Sequence, residues 1–422
     1  MRKITFLLLL ASSTLFAQRT CLTHEKMNNV LNTPEKKAHH DEVMNFVKNS
    51  SQDNLFRTSG SNGTQSTNTV ITIPVVFHVL YKNPNQNISD AQIQSQLDVL
   101  NRDYRKLNTD FSAVVPSVFQ GISADMEIVF CKATKTPSGA TTTGIVRKSI
   151  ASSVSFGDSY YLAAGDPAWD PTKYLNVWVG ILNGDYNGIL GWAYLPDQAG
   201  QAWDGFVCDY RYFGTTGTAT APFNLGRTCT HEIGHYLGLD HPWGEDDSLC
   251  GSASNDDGVA DTPATNGPYF ECPTFPSNEF ACTATPNGSI FMNYMDYVND
   301  ACMAMFTNGQ KALVQNTMSG PRASLLTSAS TACGALSVED FQAIKAITVY
   351  PNPVSVEFFI ASPFKSIDEV EIYNQNGQLV KSAKVDSTDS YRMNVDGLAS
   401  GIYYLRIYDK NEFVKSDKLI IK

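Results

Sequence analysis

Charge is scarce in this sequence, and positive charge is scarcer. Of 422 residues 17% are charged, with 31 Lys and Arg against 42 Asp and Glu. The net charge of −11 argues against a nucleic-acid binder, which needs a basic face. Long apolar runs are also missing. The one membrane candidate lies at the start, where Arg2 and Lys3 precede Ile4–Leu10 and then small residues up to Leu15-Phe16-Ala17. That run is too short to span a bilayer. A charged start, a short apolar stretch and a small residue at a cut site predict a signal peptide over residues 1–17. The product is therefore expected to be exported, with no transmembrane segment. Histidine is rare: there are seven, three of them within 231–241 and none after His241. Cysteine is absent between Cys21 and Cys131 and again after Cys333. The nine cysteines are an odd number, so an exported chain keeps at least one unpaired or paired between chains.

What is present fits a folded protein of two or three domains. The 42% hydrophobic content is too high for disorder throughout, and the length exceeds one ordinary domain. Residues 18–47 are polar and partly helical in pattern. Residues 48–69 are rich in Ser, Asn, Thr and Gly, which is linker composition. Val70–Leu80 reads as a buried strand. Ser89-Asp90-Ala91-Gln92 reads as a capping box, opening a helix with Ile93, Leu97, Leu100 and Tyr104 on one face. Further strands are expected at Met126–Cys131, Leu175–Leu182, Gly191–Leu195 and Gly205–Tyr212, and helices at Leu225–Leu237 and Asn308–Met318. Residues 242–300 show little periodicity, and so long an irregular stretch is usually functional or held by disulfides or ions. From about Ala346 short alternating strands begin, with a hairpin turn at Asn376-Gly377 and alternation at Tyr403, Leu405 and Ile407. They predict a small all-β sandwich.

The chemistry is concentrated in His231-Glu232-Ile233-Gly234-His235-Tyr236-Leu237-Gly238-Leu239-Asp240-His241. Histidines at i and i+4 share one helix face, so both imidazoles reach one metal. Glu232 can contact a water on that metal. Gly238 lets the chain leave the helix and swing His241 back as a third ligand. Three neutral imidazoles suit Zn²⁺ and leave a fourth position for water, whose pKa the metal lowers toward about 7. The short His-Glu-x-x-His pattern arises by chance in roughly four of a thousand such chains; the added Gly and third His reduce that to a few per million.

With these residues the sequence resembles the metzincin zinc proteases. Asn293-Tyr294-Met295-Asp296-Tyr297 resembles the Met-turn of that group. Within it, the small bacterial lysins of the pappalysin family are most similar. Pro74-Val75-Val76-Phe77-His78-Val79, Gln92–Leu97 and Leu100-Asn101-Arg102-Asp103-Tyr104-Arg105 resemble its opening strand and backing helix. Asn224-Leu225-Gly226-Arg227-Thr228 and Val259-Ala260-Asp261-Thr262-Pro263 also fit. The resemblance spans roughly residues 70–325. It implies an α+β catalytic domain with a twisted mixed sheet, a backing helix, an active-site helix and an irregular C-terminal subdomain.

The resemblance also implies roles. His231, His235 and His241 would bind zinc. Glu232 would act as general base, then as general acid toward the leaving amine. Met295 would form the floor under the metal, and Tyr297 would steady the tetrahedral intermediate. Asp300 would lie in the pocket for the residue after the scissile bond and favour Arg or Lys there. Asp257, Val259, Asp261 and Thr262 would hold a structural Ca²⁺. The family's disulfide pattern pairs Cys250 with Cys282 and Cys272 with Cys302. Spacing alone leaves on the order of a hundred full pairings open for eight cysteines. Cys208 with Cys229 and Cys131 with Cys333 are then one arrangement of the rest. Arg19-Thr20-Cys21-Leu22-Thr23 resembles the propeptide motif whose cysteine blocks the zinc, although Leu22 stands where glycine is usual. Activation would then need a cut in the 48–69 linker.

The C-terminal module resembles the sorting domain of the type IX secretion pathway. It carries Val349-Tyr350-Pro351-Asn352-Pro353, Gly397-Leu398-Ala399-Ser400-Gly401-Ile402-Tyr403-Tyr404 and a basic end, Lys418–Lys422. The expected layout is a signal peptide (1–17), a propeptide and linker (18–69), a catalytic domain (70–330), a linker (331–345) and a β-sandwich sorting domain (346–422). The expected function is a secreted zinc endopeptidase acting on proteins or peptides as a monomer. Its expected partners are those substrates and the type IX machinery. A non-catalytic binding protein or adhesin on the same scaffold is the alternative, and the intact Glu232 separates the two.

Overall fold

The computed structural model describes residues 18–50, 70–244, 250, 256–333, 347–361, 367–375, 378–384, 392–409 and 412–422. They fall into two compact units, one within 18–333 and one within 347–422. The signal peptide, residues 51–69 of the linker and the Asn376-Gly377 turn lie outside the described residues.

The first unit is built on strand β1 (Ile71–Tyr81), an almost unbroken apolar run that is buried along most of its length. Such a run suits a parallel strand covered on both faces. One flank of β1 pairs with β2 (Ile128–Lys132) and then β3 (Ile145–Ser149), and the other with β4 (Leu175–Gly180), all in parallel. β5 (Gly191–Ala193) forms the far edge. It runs antiparallel to β6 (Phe206–Asp209), which joins it to β4. β3 is not apparent in the sequence because its residues are only half buried and include Arg147 and Lys148.

The backing helix Asp90–Asp103 crosses between β1 and β2. Ser89 caps it by accepting from the Gln92 amide. The expected reciprocal half of the capping box is not formed. The Gln92 side chain instead donates to the carbonyls of Tyr210 and Phe213. Its neighbour Gln96 donates to Gly226 O and accepts from Gly214 N. Buried amides on this helix thus brace the chain that leads into the active-site helix, because each would be costly to bury unpaired.

The active-site helix spans Arg227–Tyr236 and is buried along its whole length. Tyr104 Oη donates to Thr230 O, and Thr230 Oγ1 donates to Asp103. The helix ends because Gly238 adopts φ +92, a left-handed conformation open to glycine. The Leu239 amide then turns back onto Gly234 O. Residues 256–307 contain no long regular element and are tied by Cys250–Cys282 and Cys272–Cys302. The helix Asn308–Ser319 follows, with a full capping box between Thr307 and Gln310. A last helix, Ser324–Ala332, was not expected, since its Ser, Thr and Ala give no strong apolar period. Cys333 beyond it bonds Cys131 on β2. Cys208 and Cys229 do not form the bond suggested for them. They remain buried thiols with their Sγ atoms 3.9 Å apart.

The N-terminal segment packs into this unit through two helices, Thr23–Val30 and Pro34–Asn49. Met27, Leu31 and Val47 enter its hydrophobic clusters. Asn316 fastens the end of the second helix by donating to Val47 O and Ser50 O.

In the second unit, β7 (Thr348–Tyr350), β8 (Glu357–Ala361) and β11 (Arg392–Asn394) form one antiparallel sheet. β9 (Glu369–Tyr373), β10 (Leu379–Lys384), β12 (Gly401–Asp409) and β13 (Glu412–Ile421) form the other. Phe358, Ile360, Val370, Ile372, Leu405 and Ile407 share one core. No described helix is long and apolar enough to cross a membrane.

Candidate active site

The active-site helix and the reversal at Gly238 bring three histidines together. The Nε2 atoms of His231, His235 and His241 lie 3.2, 3.0 and 3.3 Å from one another. Two backbone carbonyls set the tautomers: His231 Nδ1 donates to Tyr294 O at 2.8 Å and His235 Nδ1 to Leu239 O at 2.9 Å. A neutral imidazole that donates through Nδ1 has a bare lone pair on Nε2. Burial pushes all three rings toward the neutral form, His235 down to about 4. The bare Nε2 lone pairs of His231 and His235 face each other at 3.2 Å and repel unless a cation lies between them. This donor set fits Zn²⁺, which favours imidazole nitrogen.

Around this cluster, Glu232 is buried and burial pushes its carboxyl up to about 8. It accepts from the Cys21 thiol at 3.3 Å and from Thr23 Oγ1 at 3.5 Å. Cys21 Sγ and the three imidazoles form one group whose ligand atoms all lie within 4.8 Å of one another. Met295 is fully buried and packs on Gly234, where an added Cβ would meet its sulfur at 2.3 Å. Only glycine lets the turn 293–297 approach the helix so closely. Met295 N donates to Asn293 Oδ1, and the Asn293 side chain pairs with Gln310. The Tyr297 ring lies 5.0 Å from His241 and 5.6 Å from His231. Burial, with Cys21 and Glu232 beside it, raises its hydroxyl and keeps it a donor.

Asp300 is fully buried and is met by a residue of the same chain. Arg19 Nη2 lies 2.5 Å from its Oδ1. The other carboxylate oxygen accepts from Leu225 N and Arg227 N. The guanidinium also donates to Thr228 Oγ1 and Val298 O and lies over the Phe223 ring. Asp300 is thus a buried carboxylate paired with a cationic side chain from far along the same chain. Arg19 reaches it because residues 20–22 lie along the sheet edge: Leu190 N donates to Thr20 O, Leu22 N donates to Gly191 O, and Ala193 N donates to Thr23 Oγ1. Sequence reading took Cys21 from this segment and missed Arg19, Thr23 and His24. His24 Nε2 lies 2.8 Å from Asp240 and its ring 5.2 Å from His241. The motif around Cys21 was the available signal, since Arg19 stands two residues before it.

The four suggested calcium residues are not equally placed. Asp257 is buried, and burial pushes its carboxyl well above the usual range. It accepts from Val259 N and from Thr262 Oγ1. Thr262 Oγ1 also lies 2.8 Å from Val259 O. Asp261 turns to Gly309 N through one oxygen, while its other has no hydrogen-bond partner among the described residues. Carboxylate and backbone oxygens are the donor type that Ca²⁺ takes, and the orphaned Asp261 oxygen is the one left open to a cation.

Residues 163–319 match the peptidase family model described as pregnancy-associated plasma protein-A. Residues 348–422 match the model of a secretion system C-terminal sorting domain. An extracellular metalloprotease of Arthroderma benhamiae is 30% identical over 246 residues, covering 57% of this chain and 74% of the relative. A solved promirolysin mutant from Tannerella forsythia is 37% identical with a TM-score of 0.63, covering 75% of this chain and 98% of its own. Mature mirolysin of the same organism, in complex with a cleaved peptide, is 41% identical with a TM-score of 0.57, over 63% and 99%.

The buried pair with Asp300 should hold Cys21 in place. In a Glu232→Ala background, Arg19→Ala is expected to speed alkylation of Cys21 at least about tenfold, as loss of a hydrogen bond to a charged group implies. Peptide mass spectrometry reads the rate, and an unchanged rate would contradict the anchoring.

Proposed function

We propose, from the premise that this chain belongs to the pappalysin family of metzincin metalloproteases, that it is a zinc endopeptidase made latent by its own N-terminal segment. The chain is a metalloendopeptidase with a type IX sorting domain and is secreted. The finer reading rests on one observation: bare imidazole nitrogens converge beside a buried carboxylate. In this reading residues 70–330 form the catalytic domain, 346–422 carry the sorting function, and the protease acts as a monomer.

His231, His235 and His241 would hold the zinc. When bound, zinc supplies Lewis-acid polarisation of the scissile carbonyl and acidifies the attacking water. The Glu232 carboxylate takes a proton from that water and passes it to the leaving amine. Burial alone favours the protonated carboxyl, and a zinc cation among the adjacent imidazoles would favour the ionised form that accepts the proton. The Tyr297 hydroxyl donates to the oxyanion as charge develops there. Met295 closes the site from below and keeps water from the far side of the histidines. Asp300, held by two backbone amides, orients an Arg or Lys side chain of the substrate by a charge-assisted bond.

The same groups explain latency. Arg19 fills the Asp300 pocket, and Cys21 stands between Glu232 and the imidazoles, where the attacking water needs to be. The thiol is itself a zinc ligand once deprotonated. A substrate therefore competes with the N-terminal segment for both the cation pocket and the reactive centre. Removal of the segment, by cleavage within 48–69, would open both.

Cleavage-site mapping on proteome-derived peptides, with and without a zinc chelator, tests the activity. Chelator-sensitive cuts before Arg or Lys are expected. Asp300→Asn should lower kcat/KM for them about 10–100-fold, and Glu232→Ala about 100-fold or more. Cuts elsewhere would contradict the pocket, and retained turnover by Glu232→Ala would contradict the base. For the Asp257 site, a calcium-selective chelator should lower Tm and added Ca²⁺ should restore it. A Tm indifferent to both, or equally changed in Asp257→Asn, would remove calcium from the account.

A further inference from the structure

The three histidines are not held alike. His231 and His235 each fix their ring through Nδ1 and a backbone carbonyl. His241 Nδ1 is buried and has no hydrogen-bond partner among the described residues. Its ring instead lies against the indole of Trp243, with centroids 4.5 Å apart and planes within 9° of parallel. Trp243 is 5% exposed and is in turn met edge-on by Tyr297 at 4.9 Å. Tyr297 also meets the His241 ring edge-on, at 5.0 Å. His241 stands beyond the helix, on chain that has just reversed at Gly238, so no helical geometry fixes its ring.

A ligating histidine ordinarily owes its orientation to a hydrogen bond on the second nitrogen. We propose that Trp243 is the positioning residue of His241, its stacked indole replacing the hydrogen bond that the other two histidines have. This inference rests on the zinc reading above. Stacking fixes the plane of the imidazole while leaving Nε2 directed at His231 and His235. It also couples the metal site to Tyr297, because one indole face holds the ligand and Tyr297 packs edge-on to it. In the latent form the His24 ring adds a second contact to His241, at 5.2 Å. That contact leaves with the N-terminal segment, so Trp243 bears more of the positioning in the mature enzyme.

The test is zinc affinity, read by competition with a chromophoric chelator. The full chain carries Glu232→Ala to prevent self-cleavage and Cys21→Ser so that only the imidazoles hold the metal. Trp243→Phe keeps a ring to stack and should bind zinc within about threefold of the Trp243 parent. Trp243→Leu keeps apolar bulk without a ring and should bind about 10–100-fold more weakly, the range for lost support of a ligating histidine. Trp243→Met repeats the aliphatic case should the Leu chain not fold, as judged by melting of the zinc-free proteins. An aliphatic variant within threefold of the parent would overturn the stacking role. A parent that binds no zinc would instead overturn the zinc reading on which it rests.

Discussion

Everything in the first unit depends on bringing three imidazole nitrogens to one point inside a protein. A helix can supply two of them, because residues four apart share a face. It cannot supply the third. The chain has to leave the helix within a few residues and come back, and glycine at 238 in a left-handed conformation lets it do so. The two helical rings then need fixed tautomers, so Tyr294 and Leu239 present carbonyls to them. Tyr294 can do that only if the turn at 293–297 lies close beneath the helix, and Gly234 makes room for it against Met295. The amides of Gln92 and Gln96 and the Asp103 carboxylate tie the backing helix to the active-site helix and the chain before it. The sheet, the backing helix and the irregular subdomain are thus read most economically as supports for one small donor set.

The second constraint is charge in a dry place. Asp300 is wholly buried, and a buried carboxylate needs a cation and hydrogen bonds. Two backbone amides and the Arg19 guanidinium satisfy it. In the proposed enzyme the same need selects a basic substrate side chain after the N-terminal segment departs. In that proposal latency and specificity share one buried carboxylate, and whichever chain supplies its cation occupies the cleft. Cys21 adds a second point of attachment near the imidazoles, and the two together align the segment along β5.

Much of this was legible in the sequence, for physical reasons. The spacing of His231 and His235, and the Gly before His241, are local rules that need no tertiary information. The buried run of β1 and the amphipathic face of the backing helix are equally local. What could not be read depends on distant partners. Arg19 and Asp300 are 281 residues apart, and nothing near either announces the other. Gln92 looked like half of a capping box, but loop carbonyls across the helix offered its amide a better partner. β3 and the helix Ser324–Ala332 lack a clear apolar period and form because β1 and its neighbours cover them. Nothing local singles out Trp243, because what distinguishes it is a ring parallel to that of His241 in the folded chain.

In the proposed latent protein one thiol and three imidazoles of this chain surround a single zinc. Zinc K-edge X-ray absorption on the full chain, with metal analysis of the same sample, tests it directly. One zinc per chain with three nitrogen ligands and one sulfur ligand is expected, the sulfur vanishing in Cys21→Ser. A zinc shell without sulfur in the parent protein, or sulfur that survives Cys21→Ser, would contradict the account.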